Sequence, residues 1–146
     1  MNHDTMESNR PDYGQQFGPL TAEVRLEPLG PGKPNEKAAE VFGRISVKTA
    51  FDGVAVADNA MAQAGVWLYH GYLDESHRLC QSIDTPTGSY WYGIMHRREP
   101  DASNAAYWFG RVGDHQIFGA LTTSSASLAA EMGTDDEPNF LRDQVH

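Results

Sequence analysis

The chain has 146 residues, of which 40% are hydrophobic and 21% are charged, so it is long enough for one folded domain with its own core. Twenty acidic residues against eleven basic ones give a net charge of −9. This balance excludes nucleic acid and an anionic membrane surface as the main partner, because both require a broad positive face. No run approaches the roughly 18 apolar residues that cross a bilayer. The single cysteine, Cys80, forms no internal disulfide, which is typical of a reducing, cytoplasmic location.

The first 35 residues are rich in glycine and proline, which interrupt long regular elements. We therefore expect residues 1–18 to be mobile and the chain from residue 19 to dock on the core as an extended arm. Apolar and polar residues alternate over residues 21–29, which is also typical of an edge strand.

Residues 36–57 carry two competing patterns. Asn35 is suited to cap a helix, and apolar residues at helical spacing favour a helix over about residues 36–50. Alternation on both sides of Asp52-Gly53 is instead typical of a β-hairpin. The sequence leaves helix and hairpin open here.

The strongest pattern is that of a long helix over about residues 58–82. Asp58 and Asn59 are suited to cap its start, and a turn containing Pro86 and Gly88 follows its end. Apolar residues cover more than half of its circumference. This distribution predicts that the helix is central and largely buried.

Further helices are predicted after this turn, with short connections between them. Their expected ranges are 89–99, 102–112, 115–121 and 127–132, with a polar stretch over residues 122–125 and an unstructured acidic tail over residues 133–146. Asp101 is suited to cap the second of them and Gly113 to end it. Because strands do not alternate with helices, the sequence predicts one mainly α domain, an orthogonal helical assembly over residues 19–132 with at most a small N-terminal strand or hairpin.

A polar stripe interrupts the apolar surface of the predicted central helix. His70, Asp74 and His77 stand at positions i, i+4 and i+7 and share one face of a continuous helix. The next predicted helix carries a second stripe at the same spacing, formed by Tyr92, His96 and Glu99. If the two faces pack together, these side chains converge.

Such a convergence has three interpretations. Imidazoles and a carboxylate are typical ligands of a divalent cation, which would be held by His70, Asp74, His77 and His96. A metal-free acid–base site would instead use His77, Asp74 and Glu99. A purely structural network is the most common role of such residues, because a buried polar group without a partner costs ~1–3 kcal/mol.

The adjacent arginines Arg97 and Arg98 leave a helix about 100° apart, so only one can point inward. We expect one to pair with a carboxylate and the other to bind a small anionic molecule, with Tyr92 and Trp108 as flat apolar walls. The alternative is an ion-paired helix corner in which the arginine stems cover aromatic rings.

Several blocks resemble a family of uncharacterised bacterial and fungal proteins. The most specific block is H-R-R-E-P-D-A-S-N-A over residues 96–105, followed by Tyr107-Trp108-Phe109; shorter ones are W-L-Y-H at 67–70, L-D-E-S-H at 73–77 and G-S-Y-W at 88–91. The resemblance implies that these polar residues are a shared feature, and it lends no activity. Ala106 and Gly110 stand where the family pattern has more polar or basic residues, which weakens an anion-binding role for this helix.

Two classes of function follow from these patterns. The first is a small-molecule binding or catalytic site between the central helix and the helix that bears H-R-R-E, with or without a divalent metal. The second is a non-catalytic interaction protein, most simply a homodimer, whose histidine, aspartate and arginine network is structural.

Overall fold

The computed structural model describes residues 13–25, 27, 29–46, 48 and 55–131. Within these ranges the protein is built of helices without any strand, which confirms the predicted mainly α fold. The helices are α1 (Gly14–Thr21), α2 (Glu36–Phe42), α3 (Val56–Tyr69), α4 (Leu73–Cys80), α5 (Pro86–Arg98), α6 (Ala102–Val112) and α7 (Ile117–Glu131). No helix in the described part of the chain combines the length and the hydrophobicity needed to cross a membrane.

Helix α3 lies between two clusters of buried side chains, as its apolar circumference predicts. Its first cluster, with α4 and α5, contains Ala60, Met61, Ala64, Leu68, Cys80, Tyr92 and Met95. Its second, with α1 and α2, is formed by Phe17, Leu20, Ala38 and Phe42, against which Ala62, Val66 and Trp67 of α3 pack. The ring of Phe42 stacks on that of Trp67 with 3.6 Å between centroids.

The prediction of one helix over residues 58–82 is wrong at its middle, because α3 ends at Tyr69 and α4 begins at Leu73. Gly71 between them has φ +79°, in the left-handed region that favours glycine. A Cβ atom at this position would lie 2.7 Å from the carbonyl oxygen of Lys33. The segment before α2 therefore packs directly on the break, and the Asn35 N–H donates to the His70 carbonyl at 2.9 Å.

Helices α5 and α6 form an antiparallel hairpin whose ends agree closely with prediction. The Asp101 side chain caps α6 by accepting from the Asn104 N–H at 3.1 Å, and Gly113 follows with φ +66°. Gly93 of α5 lies against the ring of Phe109, which a Cβ atom would approach to 2.6 Å. The absence of a side chain at Gly93 therefore lets α5 and α6 approach each other closely at this point.

The ends of the described chain differ more from expectation. Residues 14–21 form a helix whose Phe17 is buried, whereas the glycines and prolines predicted an irregular segment. The described residues among 21–29 contain no strand. Helix α2 ends at Phe42, well before residue 50, and most of the alternative hairpin lies outside the described residues, as do residues 1–12 and the tail 133–146.

Helix α7 replaces the two short helices predicted over residues 115–121 and 127–132. The polar stretch between them is helical, and its hydroxyls donate to carbonyls one turn earlier. Thr122 Oγ1 donates to the Phe118 carbonyl at 2.9 Å, and Thr123 Oγ1 to the Gly119 carbonyl at 3.0 Å.

Candidate functional site

His70 does not join the site predicted from helical spacing, because the helix ends before it. Its Nε2 lies 2.7 Å from the Leu20 carbonyl oxygen and its Nδ1 lies 2.9 Å from the Asn35 amide nitrogen. A neutral ring that donates from Nε2 and accepts at Nδ1 satisfies both contacts. Burial lowers the pKa of His70, which favours this neutral form. His70 therefore connects α1 and the start of α2 to the end of α3.

The predicted metal-ligand set is not assembled. Asp74 is exposed in the first turn of α4, where a negative charge suits the helix N-terminus. Among the described residues, no three histidine, cysteine, aspartate or glutamate side chains are arranged to hold a metal ion. The structure therefore does not bring His70 and Asp74 together with His77 and His96.

The other predicted residues do converge, on the surface shared by α4, α5 and α6. The Tyr92 ring stacks on Trp108 at 4.4 Å and on His96 at 5.7 Å between centroids. The His77 ring meets Tyr92 edge-on at 5.1 Å and lies 6.3 Å from His96. We call His77, Tyr92, His96 and Trp108 the ring cluster.

His96 has two polar neighbours beside the ring cluster. Its Nδ1 lies 3.2 Å from Oε2 of Glu99, and the Asn104 amide nitrogen lies 3.2 Å from its Nε2 and 3.4 Å from its Nδ1. The contact with Glu99 was expected from the spacing on one helix. The contact with Asn104 depends on the α5–α6 hairpin, which brings the start of α6 back to His96.

The guanidinium of Arg98 is hydrogen-bonded to the backbone in this structure and does not face a ligand site. It donates to the carbonyls of Leu68 at 2.6 Å, Pro31 at 3.1 Å and Gly30 at 3.2 Å. Arg98 is buried while Arg97 is exposed, as their directions on the helix require.

A cavity of about 200 Å³ opens next to the ring cluster, between the end of α4, the start of α5 and α6. Its lining residues are Cys80, Gln81, Ile83, Asp84, Gly88, Ser89, Tyr92, Trp108 and Arg111. Ser89 and Tyr92 are only 4% and 5% exposed. Neither hydroxyl is hydrogen-bonded to another described residue and neither oxygen is fully buried, so both are accessible to a molecule in the cavity.

The cavity carries two opposite charges at its rim. Arg111 Nη2 lies 3.2 Å from Oδ1 of Asp84, and these side chains are 44% and 85% exposed. The guanidinium also lies over the rings of Trp108 and Tyr107, at 5.6 Å and 5.9 Å from their centroids. Asp84 and Arg111 are 27 residues apart, and helical spacing alone gave no sign that they meet.

The Cys80 thiol and the Tyr92 hydroxyl, which both line the cavity, keep their protons at neutral pH. Burial raises the pKa of the Cys80 thiol to about 11. Burial also raises the pKa of Tyr92 to about 12. Neither side chain is therefore an activated nucleophile or base.

The cavity and the two histidines lie side by side on the same faces of α4, α5 and α6. His77 is one helical turn from Gln81, His96 one turn from Tyr92, and Asn104 one turn from Trp108, so each pair shares a helix face. Tyr92 lines the cavity and contacts both imidazoles, which are not themselves on the cavity wall.

No protein-family model, curated protein or solved structure matches this chain. The resemblance of the block over residues 96–105 to a family stays a prediction. Function must therefore be inferred from the site itself.

Proposed function

We propose that this protein binds a small molecule with an anionic group in the cavity between α4, α5 and α6. The observation that carries the proposal is the pair of hydroxyls of Ser89 and Tyr92, which line this space without a hydrogen bond to any described residue. A ligand can therefore hydrogen-bond to both hydroxyls without breaking a hydrogen bond within the protein.

Arg111 is the group that would hold the anion, in place of the predicted Arg97 or Arg98. Its ion pair with Asp84 is largely solvent-exposed, and such pairs contribute only ~0–1 kcal/mol. Exchanging Asp84 for an anionic group of the ligand therefore costs little. The first turn of α5, at Gly88 and Ser89, adds the positive end of a 13-residue helix.

The chemistry of the lining favours binding over catalysis. Cys80 and Tyr92 stay protonated at neutral pH, and His77 and His96 are not on the cavity wall. The predicted acid–base set of His77, Asp74 and Glu99 has no member on the cavity wall.

A ligand screen tests this proposal. Small carboxylates, hydroxy acids and amino acids, each with its neutral amide, are added to the full chain while amide chemical shifts and thermal denaturation are recorded. We expect at least one carboxylate to shift the amide signals of Gly88 and Ser89. Arg111→Gln should weaken that binding about tenfold, because a hydrogen bond to a charged group contributes ~1.5–3 kcal/mol.

The matched control is Arg78→Gln, which removes another exposed arginine paired with a carboxylate, that of Glu75, away from the cavity wall. It should leave binding unchanged. The proposal is wrong if no compound perturbs the cavity residues, or if the two arginine variants weaken binding equally.

Helix α7 favours a second candidate function, a homodimer. Residues 117–130 carry no ionisable side chain, although the chain has twenty acidic and eleven basic residues. Leu121 and Leu128 are 39% and 57% exposed, and with Phe118 and Ser125 they follow the 3-4-3 spacing of a coiled-coil seam. Two copies that each carry −9 repel each other least along an uncharged helix.

Sedimentation of the full chain between about 10 μM and about 300 μM tests the homodimer. We expect the dimer to form over this range and Leu121→Glu to abolish it. Leu29→Glu is the control, since Leu29 is an 84% exposed leucine outside α7. A chain that stays monomeric throughout contradicts this candidate.

A further inference from the structure

The two charges at the rim of the cavity indicate a more specific class of ligand. Asp84 and Arg111 present a carboxylate and a guanidinium side by side, 3.2 Å apart. A free α-amino acid carries the complementary two charges on a single carbon atom. We infer that the ligand is a free α-amino acid with an uncharged side chain of about the size of that of glutamine; this inference rests on the proposed function and narrows it.

When such a ligand binds, the exposed ion pair between Asp84 and Arg111 is replaced by two ion pairs between these residues and the ligand. The ligand's ammonium group would donate to Asp84, and its carboxylate would accept from Arg111. A zwitterion also avoids a penalty that a simple anion meets, because the protein carries a net charge of −9. The rim therefore suits a molecule with both charges better than one with a negative charge alone.

The cavity becomes drier from its rim to its interior, which sets the orientation of the ligand. Asp84 and Arg111 are 85% and 44% exposed in their side chains, whereas Ser89 and Tyr92 are 4% and 5% exposed. The charged end would stay at the wet rim and the side chain would enter. A cavity of ~150 Å³ holds benzene, so about 200 Å³ accepts a side chain of similar size.

The interior of the cavity also determines that the ligand's side chain should be uncharged. Of the described residues on the wall, Asp84 and Arg111 alone are charged, and both belong to the rim. A charged side chain inside would lose hydration without a counter-charge. The hydroxyls of Ser89 and Tyr92 can instead bind an uncharged polar group, such as the amide of glutamine.

Calorimetric titration of the full chain with glutamine, N-acetylglutamine and glutaminamide tests the inference. The first derivative lacks the ammonium group and the second lacks the carboxylate. We expect glutamine to bind about tenfold more tightly than either, since each derivative loses a charge-assisted hydrogen bond. Glutamate, which has nearly the same shape but a charged side chain, should also bind more weakly than glutamine.

Two variants test which residue of the rim binds the ammonium group of the ligand and which binds its carboxylate. Asp84→Asn should reduce glutamine binding to the level of N-acetylglutamine, and Arg111→Gln should reduce it to the level of glutaminamide. Arg78→Gln should change neither value.

The outcomes separate this inference from the proposed function. If glutamine and N-acetylglutamine bind equally, or if other carboxylates bind and amino acids do not, the zwitterion is wrong and the anion-binding cavity stands. If no compound perturbs the cavity residues, both the inference and the proposed function are wrong.

Discussion

Arg98 is buried, yet its guanidinium pairs mainly with backbone carbonyls. The Leu68 carbonyl lies in the last turn of α3 and also accepts from the Gly71 N–H at 3.1 Å. Gly30 and Pro31 belong to a segment without regular structure, and their carbonyls accept from the guanidinium in partly buried positions. Glu27, with Oε2 at 3.6 Å, supplies the counter-charge. One side chain thus fixes the N-terminal segment to the end of the central helix.

Arg98→Ala should lower the free energy of unfolding by about 2–4 kcal/mol, because the buried Leu68 carbonyl and two partly buried carbonyls lose a charged donor, and Glu27 loses a counter-charge. Chemical denaturation measures this loss. Arg97→Ala, which changes the exposed neighbour, should stay within about 0.5 kcal/mol of the parent protein. Similar losses in both variants would contradict the role given to Arg98.

His70 makes the stability of the protein depend on pH. Its pKa lies below the ordinary value of 6.5 because burial disfavours the charged ring. Below pH 6.5 the unfolded chain therefore binds a proton at this residue that the folded chain does not. The contribution of His70 to stability is complete above that pH and falls as the pH decreases toward the lowered pKa of the folded state.

We expect the free energy of unfolding to decrease between about pH 7.5 and about pH 5, and part of this slope to vanish in His70→Asn. The measurement is a series of denaturation curves for both proteins across this range. Comparing the two slopes removes the contribution of the remaining histidines. Parallel pH profiles would show that His70 keeps its ordinary pKa in the fold.

At the scale of elements, the break between α3 and α4 determines which polar residues can meet. In a continuous helix His70, Asp74 and His77 would share a face. The positive φ of Gly71 redirects the chain, so His70 points to the Leu20 carbonyl while His77 packs against Tyr92. The site is therefore built by α4, α5 and α6, and α3 supports it from the core.

Gly71→Ala should lower the free energy of unfolding by about 1–3 kcal/mol, because its positive φ and the nearby Lys33 carbonyl both oppose a Cβ atom. Gly110→Ala is the matched comparison, since it lies within α6 with open space around the added methyl group. That change should raise stability by ~0.5–1 kcal/mol through helix propensity. Thermal or urea denaturation that gives both variants the same sign would contradict this account of the break.

At the scale of the whole molecule, the two buried clusters share α3 and should unfold together. Phe17 and Met95, each 1% exposed, belong to the second and the first cluster respectively. Because Trp67 and Leu68 of the same helix face different clusters, loss of either cluster exposes apolar surface of α3.

Phe17→Ala and Met95→Ala should each lower the free energy of unfolding by about 2–5 kcal/mol within a single transition. Far-ultraviolet circular dichroism and tryptophan fluorescence, followed through the same urea titration, should give coincident curves for both variants. Separate transitions would mean that the two clusters are independent units.

Sequence patterns alone predicted the ends of a helix where residues at those ends cap it. Asp101 and Gly113 delimit α6 because capping and positive φ act within one turn of the chain. The convergence of His77, Tyr92, His96 and Glu99 was also predictable, because i, i+4 and i+7 spacing holds within each unbroken helix.

The break in the central helix, the contacts of Arg98 and the cavity rim depend on contacts between residues that are distant in sequence. The close approach of Lys33 to Gly71, and the use of Arg98 by Gly30 and Pro31, depend on where the N-terminal segment packs. The cavity rim joins Asp84 and Arg111 only because the α5–α6 hairpin returns to the end of α4. Periodicity and capping are local properties of the chain, so the sequence by itself determined the helical class and the imidazole faces. Contacts across 27 to 68 residues depend on packing between helices, which only the tertiary structure decides.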